Sequence, residues 1–479
     1  MNNILSPDSW LNQSITSIND AIWAYCLIIV LIGCGLYFTW KTKFVQFRMI
    51  GEMLRLLTDS IANSNGKKHI SSFQAFAVSV ATRVGTGNLA GVATAIAIGG
   101  PGSVFWMWII ALIGSATAFV ESTLAQLFKI RSNESFIGGP AYYIQKGLHN
   151  RWMAALFACL MILTFGLSYN SIQSNTICSA MNEAFGVPHL VSGGILVFLS
   201  LIIVFGGIQR IAKVSSVIVP FMAIGYFILA FVVILLNINL IPHVLKIIID
   251  SAFGIHQFAG GAIGVTLMNG IKRGLFSNEA GEGSAPNVAA TASVSHPIKQ
   301  GLIQALGVFT DTLVVCSCTA FIILISGLYT NPELNGIMLT QNALQAEIGS
   351  SGPIFIAIAI FFFAFSSIIG NYYYGETNLR FLTSNKTALQ LYRIASGGLL
   401  VLFGAMASLD LVWNIGDLCM ALITMCNLVA LTKLCKYVFR LLNDYRQQKK
   451  AGIKEPQFHK HILPDIANDI DCWDERREN

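Results

Sequence analysis

The chain has 479 residues, 54% of them hydrophobic and 11% charged, with a formal net charge of +6. With a mean hydropathy of +0.64 it falls among polytopic membrane proteins, which excludes an ordinary soluble domain. The ten cysteines show no C-x-x-C spacing and the eight histidines no H-E-x-x-H, so a disulfide framework, a zinc site, a haem-binding enzyme and a membrane metalloprotease are all disfavoured.

Crossing about 30 Å of hydrocarbon takes roughly 20 apolar residues in a helix. Eleven stretches qualify, near 22–40, 73–99, 102–128, 153–184, 190–208, 214–236, 258–295, 301–326, 353–379, 389–407 and 411–438. The first is preceded by Asp8 and opened by Asp20 with no lysine or arginine before it, the reverse of a signal peptide's positive n-region. Placing the N-terminus outside puts 26 of the 30 lysines and arginines on the cytoplasmic side. They lie in the loops 41–70 and 129–152, at Arg210, Lys213 and Lys299, between Arg380 and Arg393, and from Lys433 onward. Lys246 falls outside, and Arg83, Lys272 and Arg273 lie in or beside spans. That bias sets the orientation, so the C-terminus is expected inside and the positive charge needs no nucleic-acid partner.

The second stretch carries Gly85, Gly87, Asn88 and Gly91 in its middle. The seventh carries Gly274 and then FSNEAGEGSAPN (276–287), with Gly281, Gly283 and Pro286. Both are expected to unwind, over 83–91 and 274–287. Setting residues 1–40 aside as an extracellular N-terminus with an extra helix, followed by a cytoplasmic loop at 41–72, these spans open two blocks. The blocks are 73–236 and 258–438, five helices each, entering the membrane from opposite sides. An extracellular loop at 237–257 joins them, and a solvated cytoplasmic tail, 439–479, follows. Broken helices at corresponding positions point to an inverted-repeat transporter with its site between the repeats. Close packing through small residues is the alternative for either stretch alone, and GNLAG (87–91) fits G-x-x-x-G. Non-helical backbone at membrane depth is tolerated only where protein or a cavity surrounds it. Unwinding frees amides for an anion and carbonyls for a cation. A zwitterionic amino acid would meet the amides around Thr86 and Gly87, and sodium would take carbonyls and neutral oxygens such as that of Asn88.

At this point the sequence resembles the alanine or glycine:cation symporters, also called sodium–alanine symporters. The resemblance is carried by TRVGTGNLAGVATAIAIGGPGSVFWMW (82–108), AFVESTLAQLFK (118–129), GGPAYYIQKGL (138–148), GLFSNEAGEGSAPN (274–287) and FAFSSIIGNYYYGE (363–376). It implies an all-α, leucine-transporter-type fold, a 5+5 inverted repeat of the amino acid–polyamine–cation superfamily with one extra N-terminal helix. It also implies sodium- or proton-driven uptake of alanine or glycine across a bacterial inner membrane, with sodium as coupling ion and no cofactor. Carried over by position, it suggests Thr86 and Gly87 at the substrate carboxylate, Gln173 as a polar contact, and Phe276, Ser277 and Asn278 closing over the substrate. Asn88 and Ser277 would hold one sodium. The carbonyls of Ala81 and Val84, with Ser366 and Ser367, would hold a second. Interhelical bonding is the structural alternative for Gln173, back-bonding to their own helix for Ser366 and Ser367, and plain core for Phe276.

Arg83 is a costly charge inside a span and a functional candidate by default. A gating or structural role is favoured over direct substrate binding, because a fixed guanidinium beside a sodium site would repel the ion. Its partner is open among Glu121, Asp311, Glu376 and Glu279. Glu279, Glu282 and Asp311 would carry a coupling proton if burial raised their pKa. Otherwise they pair with Arg83, Lys272 or Arg273, or are wetted by a cytoplasmic vestibule. A channel-like or sensory membrane protein is the rival reading. A membrane transferase would need a cluster of catalytic His, Asp or Cys at one face, which the sequence lacks.

Overall fold

The computed structural model describes residues 10–62, 71–132, 135–254 and 260–473. Residues 1–9 with Asp8, the part of the first loop holding Lys67 and Lys68, residues 255–259, and Arg476 and Arg477 of the tail lie outside the described residues. Seven described helices are long and apolar enough to cross a membrane: Asn12–Lys41, Ser103–Leu127, Arg151–Phe185, Pro297–Ser326, Ser351–Leu382, Lys386–Met406 and Leu409–Lys450. An eighth span counts if the bent pair Phe221–Leu236 and Ile238–Ala252, at 75° to each other, is taken as one. Gly87–Gly99 and His189–Val204 are shorter apolar helices.

The first broken helix begins with a capping box. Ser71 Oγ accepts from the Gln74 amide at 3.1 Å, and Gln74 Oε1 accepts from the Ser71 amide at 2.9 Å, satisfying donors that have no intrahelical partner. The half-helix Ser72–Arg83 ends where Val84 turns extended, ψ 93°, and helix resumes at Gly87–Gly99. The break is therefore the three residues 84–86, narrower than 83–91. Arg83 closes the first half, and Gly91 closes the π-helical turn Gly87–Gly91 with which helix resumes.

The second break also differs from expectation. Helix Gly260–Asn278 runs straight through Gly274, and the chain unwinds only at Glu279, φ 56°. Gly274 is a packing residue: a Cβ there would lie 2.6 Å from Ile110 Cγ2 and 3.2 Å from Met107 Cα. Gly281 at φ 99° and Gly283 at φ 81° hold the left-handed conformations that open the chain. A short helix, Ala285–Ala289, follows. Phe276, Ser277 and Asn278 thus occupy the last turn of the first half rather than the break itself.

The segment expected as an extracellular loop at 237–257 contains helix Ile241–Ala252, whose Ser251 hydroxyl accepts from the Gly102 amide at 3.0 Å. A further helix, Gly336–Ile348, occupies what read as a connection.

The extra N-terminal helix docks on the last one. Asn19 donates to the Asn414 carbonyl at 2.8 Å, the Trp23 indole to the Asp417 carbonyl at 3.3 Å, and Asn414 to Asn12 and Thr16 at 2.8 and 2.9 Å.

At the other end of these helices the tail is not a free solvated segment. Helix Leu409–Lys450 continues past residue 443, and the strap of residues 451–473 reaches helix Ile50–Ala62 through Arg55 and Glu455 and helix Pro140–Gly147 through Lys146 and Asp471. Phe458 donates its amide to the Ser295 carbonyl at 3.0 Å, Glu455 pairs with Lys299, and Asp471 with Lys146 at 2.5 Å. The Trp473 indole donates to the Gln126 carbonyl at 3.2 Å.

Candidate functional site

Where the first helix is broken, its freed groups are taken up by two neighbours. Asn88 folds back so that its Oδ1 accepts from the Gly85 amide at 2.9 Å. Gln173, on helix Arg151–Phe185, accepts from both the amide (3.1 Å) and the hydroxyl (2.7 Å) of Thr86. Thr86 and Gln173 therefore sit together at the break, both buried.

On the far side of the break lie Ser366 and Ser367 of helix Ser351–Leu382. Ser367 Oγ lies 3.1 Å from the carbonyls of Ala81 and Thr82, and Ser366 Oγ lies 3.2 Å from that of Ala81. Each also reaches the Phe363 carbonyl of its own helix, at 3.1 and 2.8 Å. The Val84 amide still bonds to Val80, so this residue is held by the end of the first half.

The two broken helices meet at Gly87. A Cβ there would lie 2.9 Å from Ser277 Cα and 3.1 Å from Phe276 Cδ1, so only glycine permits this crossing. Beside it, Asp311 joins both breaks. Its Oδ1 accepts from Asn88 Nδ2 at 2.7 Å, and its Oδ2 from Ser277 Oγ at 2.7 Å and Thr312 Oγ1 at 2.9 Å. Cys316 lies within 3.3 Å of Asn88 Nδ2 and 3.1 Å of Ser277 Oγ. Among the described residues no lysine or arginine makes an ion pair with Asp311. A fully buried carboxylate takes hydrogen bonds from the Asn88 amide, the Ser277 hydroxyl and the Thr312 hydroxyl, and carboxylate and hydroxyl oxygens are the ligand type a hard cation takes. The sequence grouped Asp311 with Arg83. The structure groups it with Asn88 and Ser277.

Arg83 itself pairs with none of the four carboxylates considered for it. Its Nη1 donates to the Gln304 carbonyl at 3.2 Å, while Nε and Nη2 have no hydrogen-bond partner. Glu376 is taken by Arg380 at 2.6 Å and Arg393 at 3.7 Å, Glu279 by the Ser284 hydroxyl at 2.5 Å, and Glu282 by the Tyr169 hydroxyl at 3.0 Å. Glu121 serves the second break. Its two oxygens accept the Gly281 and Gly283 amides at 3.2 Å each, and Asn427 donates to it at 2.9 Å. The amide cluster of the second break is thereby occupied by the protein's own carboxylate. Asn278 is buried alongside, its Oδ1 accepting from the Ala280 amide at 3.0 Å.

Phe276 lies between Tyr169 and Trp413, its ring centroid 4.7 Å from each. Above Trp413 stands the Arg273 guanidinium at 4.1 Å, which pairs with Asp417 at 2.5 Å. Lys272 lies 3.9 Å from Asp20. Tyr169, Trp413, Asp417 and Thr312 escaped the sequence reading. The signal was present, since Tyr169 sits one turn before Gln173 and Trp413 one turn before Asp417, the spacing that aligns side chains on one helix face.

A family model described as the sodium:alanine symporter family matches residues 8–460. A Bacillus subtilis protein named as a probable sodium/glutamine symporter is 54% identical over 95% of this chain and 94% of its own length. The Bacillus subtilis amino-acid carrier protein AlsT is 48% identical over 98% of this chain and 99% of its own. A Methanococcus maripaludis sodium/alanine symporter is 36% identical over 92% and 98%. Among solved structures, a manganese transporter mutant from Eremococcus coleocola superposes with a TM-score of 0.52 at 14% identity, covering 83% of this chain and 90% of that one.

Proposed function

The chain belongs to the sodium:alanine symporter family, a family of amino-acid carriers and not of enzymes, and from that premise we propose sodium-driven uptake of alanine or glycine by alternating access. The transporter is a multi-pass membrane protein. We read it as eleven spans, N-terminus outside and C-terminus inside, with two five-helix inverted repeats after the extra first helix, in a bacterial inner membrane. The observation that carries the mechanism is the Asp311 carboxylate, which gathers Asn88 from one broken helix and Ser277 from the other. Sodium bound there would offset a buried negative charge and draw the two repeats together beside Gly87. A second sodium at Ala81, Val84, Ser366 and Ser367 would hold the start of the break against helix Ser351–Leu382. The substrate carboxylate is assigned to the Thr86 and Gly87 amides, with Gln173 turning from Thr86 to the substrate and Phe276 and Asn278 closing over it.

Coupling requires both ligands to favour the same conformation. In this reading the shared element is the crossing at Gly87 and Ser277. Tyr169, Phe276 and Trp413 fill the space beyond it with rings, which favours a small side chain. A second reading follows from the 54% identical relative named for glutamine: a substrate whose amide would reach Gln173.

The test is uptake of labelled alanine into proteoliposomes under an imposed sodium gradient and, separately, a proton gradient, with glycine and glutamine as competitors. Accumulation driven by sodium and competed by glycine supports the proposal, and competition by glutamine alone favours the second reading. Accumulation driven only by protons transfers the coupling role to Asp311, Glu279 or Glu282. Flux that never exceeds the outside concentration supports a channel instead. Asp311→Asn is expected to cut sodium-driven uptake by roughly 10- to 100-fold, because hydrogen bonds and contacts to a charged group are worth about 1.5–3 kcal/mol.

A further inference from the structure

Far from the broken helices, the end of the N-terminal helix, the arm after it and the last turns of Leu409–Lys450 enclose a cavity of about 290 Å³. Five cations line it, Lys43, Arg48, Arg446, Lys449 and Lys450, against one carboxylate, Glu52. Glu52 is already engaged. It accepts from Arg55 at 2.8 and 2.9 Å and from the Tyr445 hydroxyl at 2.6 Å, and lies 3.3 Å from Lys449. Arg48 donates only to the Lys43 carbonyl, at 3.4 Å, and among the described residues Lys43, Arg446 and Lys450 have no acidic partner. Like charges gathered around one small space repel each other unless an anion enters it.

The backbone is bent to make this space. Lys43 and Phe44 both hold left-handed conformations, φ 55° and 59°, which side chains other than glycine adopt at a cost and which cluster at ligand sites. Beside the cavity, Trp40, Phe44, Phe47, Ile50 and Leu54 are exposed. Lys41 Nζ stands 5.0 Å over the Trp40 ring and 5.9 Å over that of Tyr37. Aromatic rings with lysine beside them mark the depth of lipid headgroups. Trp40, Tyr37 and Lys41 therefore set the cavity at the headgroup level, which leaves the exposed Phe44, Phe47 and Leu54 for the acyl chains.

We propose that this cavity binds the phosphate-bearing headgroup of an anionic phospholipid, its acyl chains lying along Phe44, Phe47 and Leu54. Basic pockets at the ends of membrane helices recognise such headgroups through charge and hydrogen-bond donors. A free phosphate would satisfy the cations but leave the rings uncovered.

The test is native mass spectrometry and thermal unfolding of the delipidated full-length protein in detergent, with phosphatidylglycerol, phosphatidylcholine or inorganic phosphate added. The expected result is tight phosphatidylglycerol binding, at least tenfold preferred over phosphatidylcholine, with a raised melting temperature that inorganic phosphate does not reproduce. The triple variant Lys43→Gln, Arg446→Gln, Lys450→Gln should weaken phosphatidylglycerol binding on the order of 100-fold, the loss of three basic groups near an anionic surface. Its unliganded melting temperature should stay unchanged, and Lys386→Gln, an exposed substitution elsewhere, should leave binding intact. Equal binding of both lipids, an unaffected triple variant, or the same loss in Lys386→Gln would overturn the proposal. Stabilisation by phosphate equal to that by phosphatidylglycerol would also overturn it, in favour of a soluble anion.

Discussion

Single atoms decide the behaviour of the two breaks. At Gly87 one added carbon would press on the backbone of Ser277 at 2.9 Å. Gly87→Ala is therefore expected to cost about 1–3 kcal/mol at the crossing and to abolish uptake while leaving the protein folded, as judged by gel filtration. The added carbon would push the two broken helices apart where they cross. Ser367 reaches two carbonyls of the first break and Ser366 only one. Ser367→Ala should raise the half-saturating sodium concentration about fivefold, since one lost hydrogen-bonding oxygen is worth about 1 kcal/mol, and Ser366→Ala should raise it less. Equal effects of the two would count against the second cation site. Both serines also bond back to the Phe363 carbonyl, the structural alternative the sequence offered for them.

Among the elements, the broken helices were readable because glycines with polar neighbours are hard to place inside a continuous membrane helix. Their limits were not, because a glycine that breaks and a glycine that packs look alike in sequence. Gly274 and Gly91 stay helical, while Gly281 and Gly283 take positive φ. What separates them is tertiary: Met107 and Ile110 press on Gly274, and Glu121 waits opposite the other two. For the same reason the role of Glu121 was invisible, lying more than 150 residues away in the chain. Removing its charge by Glu121→Gln leaves one oxygen to accept and turns an NH2 donor against one of the two backbone amides. We expect a loss on the order of 1–3 kcal/mol, read as a lower unfolding temperature in detergent, with Glu121→Asp recovering part of it. An unchanged unfolding temperature would mean that the second break holds its shape without that carboxylate.

At the scale of the whole molecule, hydropathy pointed to the seven described helices of membrane length but not to the shorter elements between and after them. Helices Ile241–Ala252 and Gly336–Ile348 and the strap 451–473 have no periodicity of membrane length, and their partners are remote in sequence. The charged network beneath the strap gives a pH signature. Burial pushes the Glu52 carboxyl up, but hydrogen bonds from Arg55 and Tyr445 outweigh it and hold the group at about 2. A carboxyl held below its unfolded value, about 4.3, contributes stability that is complete above that value and is lost as pH falls toward 2. The melting temperature of the wild type should therefore exceed that of Glu52→Gln throughout the neutral range. The gap should close only in acid, below about pH 4.

The strap has a temporal side as well. Lys299, Ser295 and Lys146 find partners among residues 455–473, and the Gln126 carbonyl accepts from Trp473, a portion of the chain that leaves the ribosome after every membrane helix. Every newly made copy must therefore thread its helices into the bilayer while this face stands unlatched, and a premature stop after Lys450 would leave it so permanently. Emergence of residues 455–473 is itself the event that fastens the face shut, and a transporter truncated before them would present its unlatched face to proteolysis.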